Sequence, residues 1–190
     1  MKKKISIEVS AKHVHLSKKH LEVLFGKGYQ LSKLKKLSQP GEFAAKETVD
    51  IQNKGRKISN VRIIGPPRRE TQVELSHTDI IFLKMQPIVR NSGDIKGTPG
   101  AILIGPKKKI KIKEGVINTW RHIHCNLKEA KEIGLKDKML VSVETTGKCA
   151  VVFQNVKVKI NNNCSLCMHV DTDEGNAACI TKKGDGYLLL

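Results

Sequence analysis

Apolar and polar residues alternate at the start of this chain. Ile5, Ile7 and Val9 share one parity and Ser6 and Glu8 the other, the pattern of a half-buried strand. Ala11, His13 and His15 keep the apolar parity, so a strand that runs on carries two histidines on its inward face near its end. Ser17 then predicts an N-cap for a helix over Lys18 to Phe25, with Leu21, Leu24 and Phe25 as its apolar side and Gly26 as its stop. The same series returns 109 residues later (13 to 122). Val116, Asn118 and Trp120 share parity with His122 and His124. Asn126 predicts the cap of a helix over Leu127 to Ile133, Glu129 stands where a capping box wants it, and Gly134 ends it. Strand, His-x-His, cap, short helix and glycine occur twice, which reads as an internal duplication.

Between and beyond these units the pattern predicts short strands. They are Glu47 to Gln52, Lys57 to Ile64, Thr71 to Ser76, Ala101 to Ile104, Val116 to Trp120, Met139 to Glu144 and Cys149 to Ile160. Ile64-Gly65-Pro66 and Ile104-Gly105-Pro106 end two strands alike, a second echo of duplication. Many short strands with Gly/Pro turns and a few capping helices predict a mainly β fold of small barrels or a sandwich. Ser92 to Gly100 reads as a loop, open both to closure over a ligand and to plain turn geometry.

Composition narrows the partners. The 190 residues are enough for one or two small domains with a real core. Lys and Arg number 35 against 18 Asp and Glu, a net charge of +17, which favours an anionic partner. Aromatics are only 4%, few platforms for stacking bases, and most of the basic residues are spread along the chain. Nucleic acid is therefore disfavoured against a phosphate-rich small molecule. No stretch approaches the roughly 20 apolar residues of a membrane helix. Five cysteines without a secretion signal point to a reducing cytoplasm.

Four of the seven histidines lie in the two His-x-His segments. Neutral imidazole is the commonest biological metal ligand, and residues i and i+2 of a strand face the same way, so each segment supplies half a zinc site. The pattern around Glu74 puts Val73 and Leu75 on one face and Gln72, Glu74 and Ser76 on the other; spacing alone makes Glu74 an exposed strand residue. His169 precedes a helix start at Thr172, where Asp171, Asp173 and Glu174 suit the helix dipole. Cys164-Ser165-Leu166-Cys167 has zinc-like spacing, but no second pair completes a structural set, and ordinary reduced thiols are preferred. Cys125 reads as packing.

Six segments occur in an order that resembles one family. They are His13-Val14-His15-Leu16-Ser17, Gln39 to Ala45, Gly65-Pro66 with Arg68 and Thr71 to Glu74, Gly97 to Gly100, Arg121 to His124, and His169 to Glu174. Together they resemble the phosphate propanoyltransferases of the propanediol-utilisation type, over nearly the whole chain from about Ser6 to Ala178. The resemblance implies two β-barrel domains with the active site between them, and two zinc ions per chain. It implies interconversion of a short-chain acyl-CoA (propanoyl or acetyl) plus phosphate with acyl phosphate plus CoA. The expected division joins residues 1–45 to about 120–190 in one barrel and leaves about 46–119 for the other.

Residue by residue, the resemblance makes His13, His15 and Glu74 the ligands of one zinc, and His122, His124 and His169 those of the other, with an open fourth position. Arg68 is implied to grip the phosphoryl group, and Glu74 to help manage the thiol proton. Ser10, Lys35, Arg62 and Asn176 fall where the family contacts CoA. Lys12, Cys125 and Gly175 depart from the family's Arg, Met and Ala at those positions. Some family members carry an N-terminal extension that targets them to a bacterial microcompartment. About four residues precede the first strand here, which favours a free cytoplasmic enzyme; a homodimer remains open. Two rivals stand beside this reading: a binuclear zinc hydrolase of phosphate esters or thioesters, and a basic nucleic-acid-binding protein. A cupin-like oxygenase is set aside because Glu74 lies 59 residues past His15 (15 to 74), not a few.

Overall fold

The computed structural model describes residues 3–190; Met1 and Lys2, the start of the Lys2-Lys3-Lys4 run, lie outside the described residues. In chain order the first elements are β1 (Lys3–Val9), β2 (His13–His15), α1 (Lys18–Phe25), β3 (Lys33–Lys36), β4 (Phe43–Asn53), β5 (Arg56–Gly65) and β6 (Gln72–Glu74). There follow α2 (His77–Phe82), β7 (Val89–Arg90), β8 (Ala101–Ile104), β9 (Lys109–Ile112), β10 (Val116–Thr119) and β11 (His122–Cys125). The chain ends with α3 (Leu127–Ile133), β12 (Leu140–Thr145), β13 (Val152–Ile160), β14 (Cys167–Val170), α4 (Thr172–Ala177) and β15 (Lys183–Leu189). No helix of the described residues is long and apolar enough to cross a membrane.

These elements form two units. One joins the N-terminal residues as far as Ala11 to Trp120–Leu190; the other is Lys12–Thr119. The first is a closed barrel in the order β1-β14-β11-β13-β12-β15, with Ile7, Ile123, Val156, Val158, Met168 and Leu188 fully buried in its core. The second is a nine-stranded sheet curled into a half-barrel, in the order β7-β10-β6-β2-β5-β4-β8-β9 with β3 beside β4. Its core gathers Val14, Leu16, Leu24, Ile51, Ile63, Val73 and Leu103. Residues 12–45, placed above with the first barrel, fall in this second unit because β2 takes its partners there: β5 in parallel and β6 antiparallel.

The expected strand from Ile5 to His15 is broken. β1 stops at Val9, held between β14 and β15, and the Ser10 amide donates to the Val170 carbonyl at 2.8 Å. After the bend at Lys12 a new strand starts in the other unit, and its parity is reset. Val14 now faces the core, so His13 and His15 point off it, not inward as the alternation predicted. The second series breaks the same way: β10 ends at Thr119 in one unit and β11 starts at His122 in the other, with Ile123 and Cys125 on the core side. Each His-x-His therefore opens a fresh strand and leads directly into a capped helix.

Those helices form as their local chemistry requires. Ser17 accepts from the His20 amide, and α1 buries Leu21, Leu24 and Phe25, each worth about 1.5–3 kcal/mol on full burial. Around α3 the Asn126 side chain and Glu129 satisfy each other's backbone amides in a complete capping box, and Gly134 closes it in the left-handed conformation at φ 81°.

Candidate active site

The first histidine pair is completed by a neighbouring strand. β2 and β6 run antiparallel with His13 opposite Glu74 and His15 opposite Gln72. Val73 goes into the core, so Gln72 and Glu74 face the imidazoles. His13 Nε2 lies 3.5 Å from Glu74 Oε2, and His15 Nε2 lies 3.7 Å from Glu74 Oε1. Two donors bound to one tetrahedral zinc at about 2.1 Å sit about 3.4 Å apart, so these separations fit a shared cation. All three residues are buried, Glu74 included, which corrects its reading from spacing as exposed.

The carboxylate is held ionised. Burial alone pushes the Glu74 carboxyl up, but His13, His15 and the Thr119 hydroxyl outweigh it and keep it well below the usual carboxylate range. Thr119 Oγ1 donates to Oε2 at 2.5 Å; Gln72 Nε2 and Ser92 Oγ donate to Oε1 at 2.6 and 2.9 Å. His15 is driven the other way from an ordinary histidine, down to about 3, first by burial and then by the charge of His13. A neutral imidazole beside a fixed carboxylate is what a divalent cation requires.

Ser92 ties this group to Arg68. Its hydroxyl accepts from Arg68 Nη1 at 3.0 Å while donating to Glu74. The other arm of the guanidinium, Nη2, is paired with Glu42 Oε1 at 2.9 Å. The backbone of Arg68 is fixed as well, its amide donating to the Leu16 carbonyl just past the histidines. Gln72, Ser92 and Thr119 were not anticipated. Gln72 shares its strand parity with Glu74, a usable signal; Ser92 begins the loop read above as open to closure over a ligand, and Thr119 leaves no local trace.

The second pair meets a histidine. β11 and β14 run antiparallel with His122 opposite His169, and both residues point off the barrel core. The rings of His122, His124 and His169 lie edge to face, with centroids 4.6, 5.5 and 5.0 Å apart, and offer three nitrogens within 4.8 Å of one another. His122 Nδ1 is 2.7 Å from the Trp120 carbonyl, which can only accept, so Nδ1 carries the proton and Nε2 presents its lone pair. That Nε2 is 2.9 Å from His124 Nε2. Burial, aided by Lys159, His124 and His169, holds His122 well below the usual histidine range and keeps it neutral. Arg121 pins the start of β11, pairing with Glu174 Oε1 at 2.6 Å and donating to the Gln154 carbonyl. This donor set also fits a cation, one with an open coordination position.

The residues expected at CoA are spread over both units. Ser10 and Asn176 lie in the barrel unit; Lys35 and Arg62 lie in the half-barrel unit. Lys35 is exposed on β3. Arg62, opposite His13 on β5, spends its Nη1 on the Ala45 and Lys46 carbonyls at 3.1 and 2.6 Å. Asn176 is exposed on α4, next to Gly175, where a Cβ would meet Val9 Cγ2 at 2.6 Å and the Ile180 carbonyl at 2.9 Å. Packing therefore accounts for the glycine.

A carboxylate-bearing donor set linked to an arginine, and an all-imidazole set, give the chain two groups that could each hold a metal ion. The comparisons name the family: a phosphate propanoyltransferase family model matches residues 6–181, and the chain belongs to that family. It is 48% identical over 97% of its length to a phosphate propanoyltransferase of Thermotoga maritima, covering 89% of that protein. The likeness to the one from Lachnoclostridium phytofermentans is 47%, over 93% of this chain and 83% of that protein. To the Alkaliphilus metalliredigens enzyme it is 44%, over 97% and 87%. The chain is thus an acyltransferase of the phosphotransacylase class.

Proposed function

We propose that this chain transfers a short acyl group, propanoyl or acetyl, directly between CoA and phosphate with the help of two zinc ions. The observation that carries this reading is the unequal pair of donor sets: His13, His15 and an ionised Glu74 in one, and three imidazoles in the other. When bound, zinc supplies Lewis acidity that lowers the pKa of a thiol and offsets charge on phosphoryl oxygens. The set His122, His124 and His169 brings no negative charge, so a cation there keeps its full attraction for an anionic ligand.

The chain's own residues do the rest. Arg68 offers a fixed guanidinium to the phosphoryl oxygens, exchanging its Glu42 partner for a bidentate contact. Ser92 holds that guanidinium in line with Glu74. Glu74, bound by three hydrogen bonds, orients its site and is a poor proton acceptor. Towards acyl-CoA, the CoA thiolate attacks the carbonyl carbon of the acyl phosphate; the C–S bond forms, the C–O bond to phosphate breaks, and phosphate leaves with the electron pair. The reverse reaction exchanges the roles of sulfur and oxygen, and no side chain is acylated.

Initial rates with both substrates varied should give intersecting reciprocal plots, and metal analysis about two zinc ions per chain. Parallel plots with a trapped acyl-enzyme would overturn direct transfer. Thiol release from propanoyl-CoA should require phosphate; release with water alone would make the chain a hydrolase.

A further inference from the structure

The Cys164-x-x-Cys167 segment has no part in the reaction above, yet β14 places Cys167 beside a metal ligand. Met168 and Val170 face the barrel core, so Cys167 and His169 share the other face. β1 runs parallel next to β14 with Glu8 opposite His169 in register. One donor atom each from Glu8, Cys167 and His169 then falls within 4.8 Å of the others. The Glu8 carboxylate is divided between two neighbours: Oε1 is 2.6 Å from Lys183 Nζ, while Oε2 turns to His169 Nε2 at 3.8 Å.

We propose that Glu8, Cys167 and His169 form a further divalent-cation site on the barrel, selective for thiophilic ions such as zinc, cobalt or cadmium, that shares His169 with the His122–His124 pair. A sulfur, a nitrogen and an oxygen make a borderline-soft donor set. Cys167 is 3% exposed, so a cation that takes its sulfur displaces the thiol proton out of contact with bulk water. Because His169 belongs to both sets, the two compete for it. The Glu8–Cys167 pair is termed the outer set and the His122–His124 pair the inner set, with His169 common to both.

The site is read by titrating cobalt into chelator-stripped full-length chain without any acyl substrate, so the outcome is independent of the reaction. Cys149, Cys164 and Cys179 are replaced by Ser in every sample, and His122→Ala with His124→Ala removes the inner set. The His13, His15 and Glu74 group has no thiolate and gives no thiolate-to-cobalt band. The proposal expects that near-ultraviolet band to grow to saturation in this chain and to vanish with Cys167→Ser. Glu8→Gln, a change at a partly exposed position outside the core, should weaken the apparent affinity at least about tenfold while circular dichroism is unchanged. Absence of the band, its survival in Cys167→Ser, or unaltered affinity in Glu8→Gln would each refute the site.

Discussion

The two histidine pairs begin from the same strand motif and end in different chemistry. On β2 the facing strand contributes Glu74, all three residues are buried, and a network of Gln72, Ser92 and Thr119 fixes a negative charge. On β11 the facing strand contributes His169, two of the three residues are half-buried, and the set holds no carboxylate. A divalent cation would retain about one positive charge in the first and two in the second. A repeated motif thus supplies the scaffold, and one residue on the partner strand sets whether a bound cation would be partly neutralised by a carboxylate or would keep its full charge.

Removing a ligand from each side tests this contrast most sharply. His122→Ala should lower kcat/KM by about 10³-fold, the scale of a lost charge-stabilising contact, and, in a Cys167→Ser background that disables the Glu8 set, reduce zinc content to about one per chain. Glu74→Gln keeps shape but removes the anion. It should empty the first group, again leaving about one zinc, while the second group keeps its ion. Metal analysis of the two variants separates them. Loss of both ions in either one would mean that the groups are not independent sites.

Acid should expose the same difference in chelator-stripped protein. Unfolded imidazoles take up a proton below about pH 6.5, whereas folded His15 does so only near 3 and folded His122 well below the usual value. Between those limits the unfolded chain binds more protons, so stability falls as pH falls, by up to about 1.4 kcal/mol per pH unit for each histidine. Glu74 acts in the same direction at lower pH. Its stabilisation is present above the ordinary carboxylate pKa and is lost as pH drops through its depressed folded value. Urea midpoints should decrease steadily from pH 7 to 5, and His122→Gln should flatten that slope. A midpoint that is level or rises over this range would contradict the burial of neutral histidines.

Sequence patterning made the local parts of this molecule legible. Both helices that follow the histidines run between the predicted residues, because Ser17, Gly26, Asn126, Glu129 and Gly134 act within one turn. What depends on partners was not legible. Alternation carried straight through Ser10–Lys12 and Trp120–Arg121, although the chain changes sheet at both places, because parity cannot register a change of partner. β9, β14 and β15, the short β3 and β7, and α2 were also missed. The imidazole pairs showed in the spacing, whereas Glu74 and His169 came from the family resemblance; cross-strand register is what brings each to its pair.

Ser92 couples the Glu74 group to Arg68, the side chain proposed above to bind phosphate. Ser92→Ala removes the contact between Arg68 and Glu74 but leaves Gln72 and Thr119 on the carboxylate. A hydrogen bond to a charged group contributes about 1.5–3 kcal/mol. The expected effect is a rise of about tenfold in KM for phosphate with zinc content unchanged. If zinc is lost instead, Ser92 serves the metal group and not Arg68.

The helices behind the two pairs give the smallest and most local contrast. In α1 the third residue, His20, turns away from its cap and meets Thr71 Oγ1 at 2.8 Å. In α3 the equivalent Glu129 returns to its own cap, accepting from the Asn126 amide at 2.9 Å, and its other oxygen accepts from the Leu166 amide at 3.2 Å. Glu129→Ala should therefore cost about 1 kcal/mol and lower Tm by about 2–4 °C. The loss should fall on the barrel unit, which hydrogen exchange of the α3 and Leu166 amides would register. His20→Ala should leave the first amides of α1 protected, because Ser17 alone caps that helix. Equal loss of protection in both helices would show that the two caps work alike despite their different partners.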